Sequence, residues 1–421
     1  EVSFHRIGFG YESASDAKAS KCRWFPYNKG GEFRKWYGNC DLIIDWENDG
    51  DAIRNFKDTA GKTRSAVRNP EFYFKAGITW TTTTSNSLAA RKTDGGFLFD
   101  VKGSSLFPGT QLLPMLGFIV TPIADRILSM LNPTMEFQVG NMSSLPILVK
   151  EIQAIAATAS TLVSSAIALA RTDWDNFETS WDFRDLPLLR EGTKGATLAE
   201  SWRNWEAQSL AAIRRMQELE TENNRLFIDA YGLAGELSSE VPEEQITLAR
   251  PSARADVAAF LSYAVGCMMG RYSLEMPGLI LANAGDTVAQ YLQKVGSSLE
   301  QLRFAPDDDG IIPVLDGDWF ADDIVTRTRE FLRVTFGEES LSENLRFIEE
   351  SLGKDLRQYF LTDFYKNHLQ TYKRRPLYWM FCSGKQRAFQ CLVYLHRYHE
   401  GTLARLRTEY VIALQSRVAA R

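Results

Sequence analysis

The feature that most constrains this chain is a change of texture at Leu145-Pro146. Before it, short runs of β-branched and aromatic residues alternate with Gly, Asn, Asp and Pro. Asp41-Leu-Ile-Ile-Asp-Trp46, Phe72-Tyr-Phe74, Gly77-Ile-Thr-Trp-Thr-Thr-Thr-Thr84 and Gly96-Phe-Leu-Phe-Asp-Val101 read as strands, and Met135-Glu-Phe-Gln-Val139 as one more. Between them Leu113, Leu116, Ile119, Ile123, Ile127 and Leu131 fall at helical steps, broken at Pro122. After Pro146 the period lengthens. Val149–Ala170 and Thr197–Leu233 have helical spacing, the second through Leu198, Trp202, Trp205, Leu210, Ile213, Met216 and Leu219, and Asp318–Phe336 opens with an acidic first turn. Near the end Pro376–Phe381 reads as a strand, Ser383-Gly384 as a turn, and Lys385–Tyr394 as either a short helix or an extended pair; from Thr402 the spacing is helical again. The expected class is α+β: a strand-rich domain over 1–148, a mainly helical region over 149–363 and a small mixed α/β C-terminal part over 364–421.

Charge divides the chain at nearly the same places. The net charge of -5 is the residue of 18 lysines and arginines against 15 acids over residues 1–150, 19 against 36 over 151–363, and 11 against 2 over 364–421. Two basic ends flank an acidic middle, an arrangement suited to one polyanion-binding surface if the ends meet, and equally to solvated helix faces whose signs cluster. The five cysteines contain no CxxC and the four histidines no HExxH, so neither a disulfide framework nor a zinc ribbon is expected and a reducing cytoplasm is the default. No run of 18 apolar residues is found, which argues against a transmembrane span. The chain opens at Glu1 without a leader and is read as cut from inside a longer protein.

Catalytic signatures are weak. Gly8-Phe-Gly10 lacks the third spaced glycine, no GxxxxGK[ST] occurs, and Gly232-Leu-Ala-Gly235 sits at a helix end. Asn69-Pro-Glu-Phe72 has Glu where an amino-methyltransferase loop needs a second Pro. Cys391 neighbours His396 and His399 but lies in an apolar run, so a structural thiol is expected. Asp322 and Asp323 are adjacent on one helix and do not face a common cleft, and Asp307-Asp-Asp-Gly310 is followed by Ile-Ile-Pro where a calcium loop needs oxygen ligands, so a surface turn is expected. No catalytic residue, cofactor site or metal site is expected within the chain.

Basic clusters are the better signal. Residues 21–37 interleave basic and aromatic side chains around Gly30-Gly31, offering cations for phosphates and planes for stacking, with Lys29, Arg34 and Lys35 as the cations singled out. Lys62, Arg64 and Arg68 form a second basic loop with Lys57. Lys373, Arg374 and Arg375 form a third cluster with Lys385 and Arg387. The competing reading of each is an aromatic core with a solvated basic rim.

Tyr27-Asn-Lys-Gly-Gly-Glu-Phe-Arg-Lys-Trp-Tyr-Gly-Asn39, Asp45-Trp-Glu-Asn-Asp-Gly50, Leu131-Asn-Pro-Thr-Met-Glu-Phe-Gln-Val-Gly140 and Tyr372-Lys-Arg-Arg-Pro-Leu-Tyr-Trp379 closely resemble segments that follow the catalytic domain in the PglX family. These are the adenine-specific DNA methyltransferases of BREX phage-defence systems; related single-chain restriction–modification enzymes carry looser versions. The resemblance implies that residues 1–148 are a DNA target-recognition domain, 149–363 an acidic helical scaffold or spacer, and 364–421 a truncated basic segment that clamps DNA. In that reading Ser85, Asn86 and Arg91 lie in a polar loop between strands, where Asn or Arg can make bidentate contacts with purines; Lys92 is a further DNA-binding residue, and for any single residue a phosphate contact is expected before a base contact. S-adenosylmethionine is implied for the full-length protein only, and the isolated chain is expected to be inactive. Double-stranded DNA, other BREX proteins and phage DNA-mimic inhibitors are the implied partners of a monomer that avoids membranes. The alternative is a protein-interaction scaffold of the defence complex, for which exposed Trp202 and Trp205 would speak.

Overall fold

A computed structural model describes residues 2–83, 87–132, 134 and 136–420. The chain folds into two compact units, one made of His5–Asp175 with Ser209–Arg250, the other of Glu1–Phe4 with Asn176–Gln208 and Pro251–Arg421. They are called here the N-terminal and C-terminal units.

In the N-terminal unit, strands β1 (Trp24–Asn28), β2 (Ile43–Asp45), β3 (Gly77–Trp80), β4 (Ala90–Thr93), β5 (Leu98–Phe99) and β6 (Ser105–Leu106) build two three-stranded sheets, ordered β2-β1-β5 and β4-β3-β6. The β1–β5 pair is parallel and the rest are antiparallel. Short helices α1 (Ala14–Ala19) and α2 (Glu47–Arg54) cover an aromatic core of Phe25, Trp46, Tyr73 and Phe74. Asn48, Asp49 and Gly50 at the start of α2 are all left-handed; a side chain on Gly50 would meet the Trp46 ring at 2.4 Å, so this turn needs glycine there. The residues Phe72–Phe74, expected as a strand, instead form a 3₁₀ turn over Pro70–Phe72, set up by left-handed Asn69 and by Pro70 at the first helical position.

The remaining helices of this unit are α3 (Leu112–Ile119), α4 (Pro122–Leu131), α5 (Val139–Ser143), α6 (Val149–Asp175) and most of α7 (Leu198–Ala230), whose first turns belong to the C-terminal unit. The break between α3 and α4 bends the chain by 80°, because Thr121 caps a new helix with Pro122 at its first turn. Gly117 lets α3 lie against α6 and α7: a side chain there would meet Val163, Asn223 and Phe227 at about 3 Å. Val139, expected as strand, opens α5.

The apolar character of α6 corrects the sequence reading. An 18-residue window of it has mean hydropathy 1.6 with a third of the window buried, so by length and composition it could cross a membrane, as could α3 and α4 taken as one bent pair. The value is high because even the outward positions Ala154, Ala157, Ser164 and Ala168 are small and nearly neutral. Ile152, Ala159, Val163, Ala166 and Ala170 meanwhile bury one stripe, as a core helix does.

The C-terminal unit holds α8 (Ala253–Met268), α9 (Val288–Val295), α10 (Ile324–Phe336), α11 (Leu341–Leu352), α12 (Leu356–Tyr359), α13 (Tyr365–Thr371), α14 (Thr402–Arg405) and α15 (Ile412–Ala419). A sheet of β7 (Ile311–Pro313), β8 (Tyr378–Cys382) and β9 (Gln390–Tyr394) is antiparallel in the order β7-β9-β8. The extended alternative for Lys385–Tyr394 is therefore the observed one. β9 is buried throughout, and its alternation feeds two cores: Leu392 and Tyr394 enter the large helical core, Cys391 and Val393 the smaller one beneath the C-terminal helices. The helical bulk with small sheets makes the fold α+β. The compact units cut across the three segments read from composition, since residues 149–363 contribute to both and 364–421 share a core with 251–363.

Candidate nucleic-acid interface

The first basic cluster is largely architectural. Lys35 is buried with its ammonium paired to Glu220, whose second oxygen accepts the Trp36 indole N–H at 2.8 Å. Arg34 donates to Asp173 at 2.6 Å and to the Tyr37 carbonyl at 2.8 Å and lies over the Trp174 ring. Two residues called as DNA contacts are thus corrected: they tie the Gly-Gly loop to α6 and α7, and their aromatic neighbours Phe25, Trp36 and Tyr37 are core. Lys29 alone of the three stays exposed.

Arg91 is corrected as well. It is the second residue of β4, in register with Thr79 of β3, and only 1% exposed. Its guanidinium reaches the Arg34 carbonyl at 3.1 Å and Thr81 at 3.4 Å, while its Nε has no partner among the described residues. Burial pushes its pKa down to about 10. The polar run Ala90-Arg-Lys-Thr reads as loop by composition, but Trp36 donates to Ala90 and accepts from Lys92 through the backbone and holds it as a strand. Lys92, expected to bind DNA, is half-buried and paired with Asp94 at 2.6 Å. Ser85 and Asn86 lie outside the described residues.

The second cluster is a surface loop. Asp58 organises it by accepting backbone N–H groups of Ala60 at 3.0 Å and Lys62 at 2.9 Å and the Arg64 side chain at 2.7 Å. The Lys62 amide hydrogen bond is the largest factor holding the Asp58 carboxyl below its ordinary range. Lys62 and Arg68 are exposed with no ion pair among the described residues, whereas the charge of Arg64 is shared with Asp58.

In the C-terminal unit, α13 ends in a basic turn. Lys373 (φ 50°) and Arg374 (φ 62°) are consecutive left-handed residues, where glycine would be unstrained. The turn is held by Arg374 N–H to the Leu369 carbonyl at 2.7 Å and Arg375 N–H to Tyr372 at 2.8 Å. In the β8–β9 hairpin loop Arg387 is left-handed too (φ 49°), and Lys385 beside it is exposed. Arg374, Arg375, Lys385 and Arg387 are exposed without ion pairs among the described residues.

Sequence reasoning missed Trp379. It lies on edge strand β8, half exposed, with Phe381 at 6.5 Å between ring centroids on the same side of the strand. The signal was present in the period-2 alternation, which places Trp379 opposite to buried Tyr378. Trp202 and Trp205, by contrast, pack on the large core, and Trp202 donates to Asp256 at 3.1 Å, so the aromatics that would have marked a scaffold face are turned inward. Cys391 is a buried thiol whose pKa burial raises, and Asp323 caps α10 and pairs with Arg357 at 3.2 Å. Asp307 accepts three backbone N–H groups in its own turn, and no metal-ligating cluster occurs among the described residues.

No protein-family model matches the chain. The adenine-specific methyltransferase PglX of Lacticaseibacillus casei (strain Zhang) is 39% identical over 431 residues, covering 99% of this chain and 34% of the relative. The adenine-specific methyltransferase BrxX of Escherichia coli O9:H4 (strain HS) is 35% identical over 432 residues, covering 94% and 34%. The chain spans about a third of the length of these curated relatives.

Proposed function

On the premise that the chain is PglX-like along its whole length, we propose that it is the DNA-recognition portion of a site-specific adenine (N6) methyltransferase of a BREX defence system. Adenine inside a duplex is out of reach until it is flipped, so such an enzyme needs surfaces that hold the duplex beside the catalytic domain. In this reading the exposed cations of the C-terminal unit grip phosphates, Trp379 gives an aromatic plane beside them, and the Lys62–Arg68 loop adds a second contact. Base reading is assigned to the segment around Ser85 and Asn86. Methyl transfer and S-adenosylmethionine binding belong to sequence outside the matched third.

The observation that carries the reading is the exposed basic turn Lys373-Arg374-Arg375, left-handed at its first two residues. Replacing Arg374 and Arg375 with alanine in the full-length protein is expected to weaken binding to all duplexes about equally and to leave the methylated motif unchanged, since charges on phosphates carry no sequence information. A changed motif from that pair, read by sequencing modified adenines, would refute the assignment.

A further inference from the structure

The C-terminal unit contains a cavity of about 500 Å³, lined among others by the start of α8 and by α13. Its volume lies in the range that holds a small organic molecule, roughly 300–1,000 Å³. Phe183, Leu186, Leu352, Tyr359 and Phe364 supply mainly apolar, aromatic walls.

Two lining residues leave buried polar atoms unanswered. Glu178 Oε2 accepts the hydroxyls of Ser262 at 2.9 Å and Tyr372 at 3.1 Å, while its Oε1 has no hydrogen-bond partner among the described residues. His368 Nε2 accepts the backbone N–H groups of Leu377 at 3.0 Å and Tyr378 at 3.3 Å, which assigns the ring proton to Nδ1. That Nδ1–H donor also has no partner among the described residues. Turning the ring would give up both Nε2 hydrogen bonds and the stacking on Tyr378 at 4.8 Å. Burial, aided by Arg271, lowers the His368 pKa to about 3, so the imidazole stays neutral. A buried acceptor and a buried donor left open on two residues that line the same cavity cost stability unless something in the cavity meets them.

We propose that this cavity binds a planar amino-substituted nitrogen heteroaromatic, its amine N–H donating to Glu178 and its ring nitrogen accepting from His368. The aromatic walls take the ring faces; burial raises the Glu178 pKa, and the Ser262 hydroxyl and the buried Arg271 oppose that shift, so the ligand need carry no charge. The site is separate from the DNA reading and stands or falls without it.

Titration calorimetry of this chain with 4-aminoquinazoline and with quinazolin-4-one, which presents the reversed donor–acceptor pair, tests the proposal. The amino probe is expected to bind saturably and roughly tenfold more tightly than the oxo probe, the consequence of leaving a buried acceptor unsatisfied. Glu178→Gln keeps an acceptor for Ser262 and Tyr372 but places an NH₂ where Oε1 stood, so the preference should vanish or reverse. Ala255→Phe, at an exposed position of the cavity mouth, should weaken both probes about tenfold or more with the fold intact. Equal affinity for the two probes in the unaltered chain, binding that Ala255→Phe leaves unchanged, or no saturable binding at the solubility limit would each overturn the proposal, the last leaving a cavity that holds only water.

Discussion

Removing Lys35 should unfold the N-terminal unit rather than weaken a DNA contact. Its side chain is 8% exposed and that of Glu220 3%, so the pair has almost no water to fall back on. In Lys35→Ala, Glu220 keeps one neutral donor, the Trp36 indole, and loses its only ionic partner among the described residues. Breaking one side of such a buried pair costs about 3–5 kcal/mol. At about 2–4 °C per kcal/mol for a unit of this size, the melting temperature should fall by about 6–20 °C. The further change Glu220→Gln with Lys35→Met should recover at least about half of that loss, because the amide oxygen still accepts from Trp36 and no isolated charge remains. Circular-dichroism melts of the two variants and the unaltered chain, read beside binding of a fluorescent duplex, separate the possibilities. If Lys35→Ala melted within about 1 °C of the unaltered chain while duplex affinity fell, the buried pairing would be refuted and Lys35 restored as a contact residue.

Other expectations are brief. Arg374→Ala with Arg375→Ala should lower the slope of log affinity against log salt by about 1.8, two phosphates at about 0.9 each, in anisotropy titrations; an unchanged slope would mean that neither touches phosphate. Burial, then the neighbouring Asp309, pushes the Asp307 carboxyl up to about 7. Its folded pKa exceeds its unfolded one, so the stability it contributes is full below about pH 4 and lost as pH rises toward 7. Asp307→Asn should therefore stabilise the chain at pH 8 relative to pH 4 in urea titrations, and equal gains at both would contradict the shift. Cys382 is exposed, whereas Cys40 is buried with its pKa raised to about 12, so Cys382→Ser should remove the fast phase of thiol labelling and Cys40→Ser should not.

Much of the fold was legible because its causes are local. Helices α6, α7 and α10 follow from 3.6-residue spacing, and the kink before Pro122 from proline chemistry. The β8–β9 pair follows from the turn at Ser383-Gly384. The exposed basic turn after α13 was legible too, since a run of Lys-Arg-Arg before Pro376 has little choice but to stay in water.

What composition could not determine is which charges are spent inside. Lys29 and Lys35 are six residues apart in one cluster, yet one is solvated and the other pairs with Glu220, 185 residues later in sequence. Arg34 meets Asp173 across 139 residues, and Arg91 is held as a strand residue by β3 on one side and the Trp36 backbone on the other. The same holds for the cavity: Glu178, Ser262, His368 and Tyr372 converge from four places in the chain, and none carries a motif. A sequence window records propensity and charge, both local quantities. Whether a charge ends on the surface or in a pair depends on long-range contacts that desolvate it, and those exist only once the chain has folded.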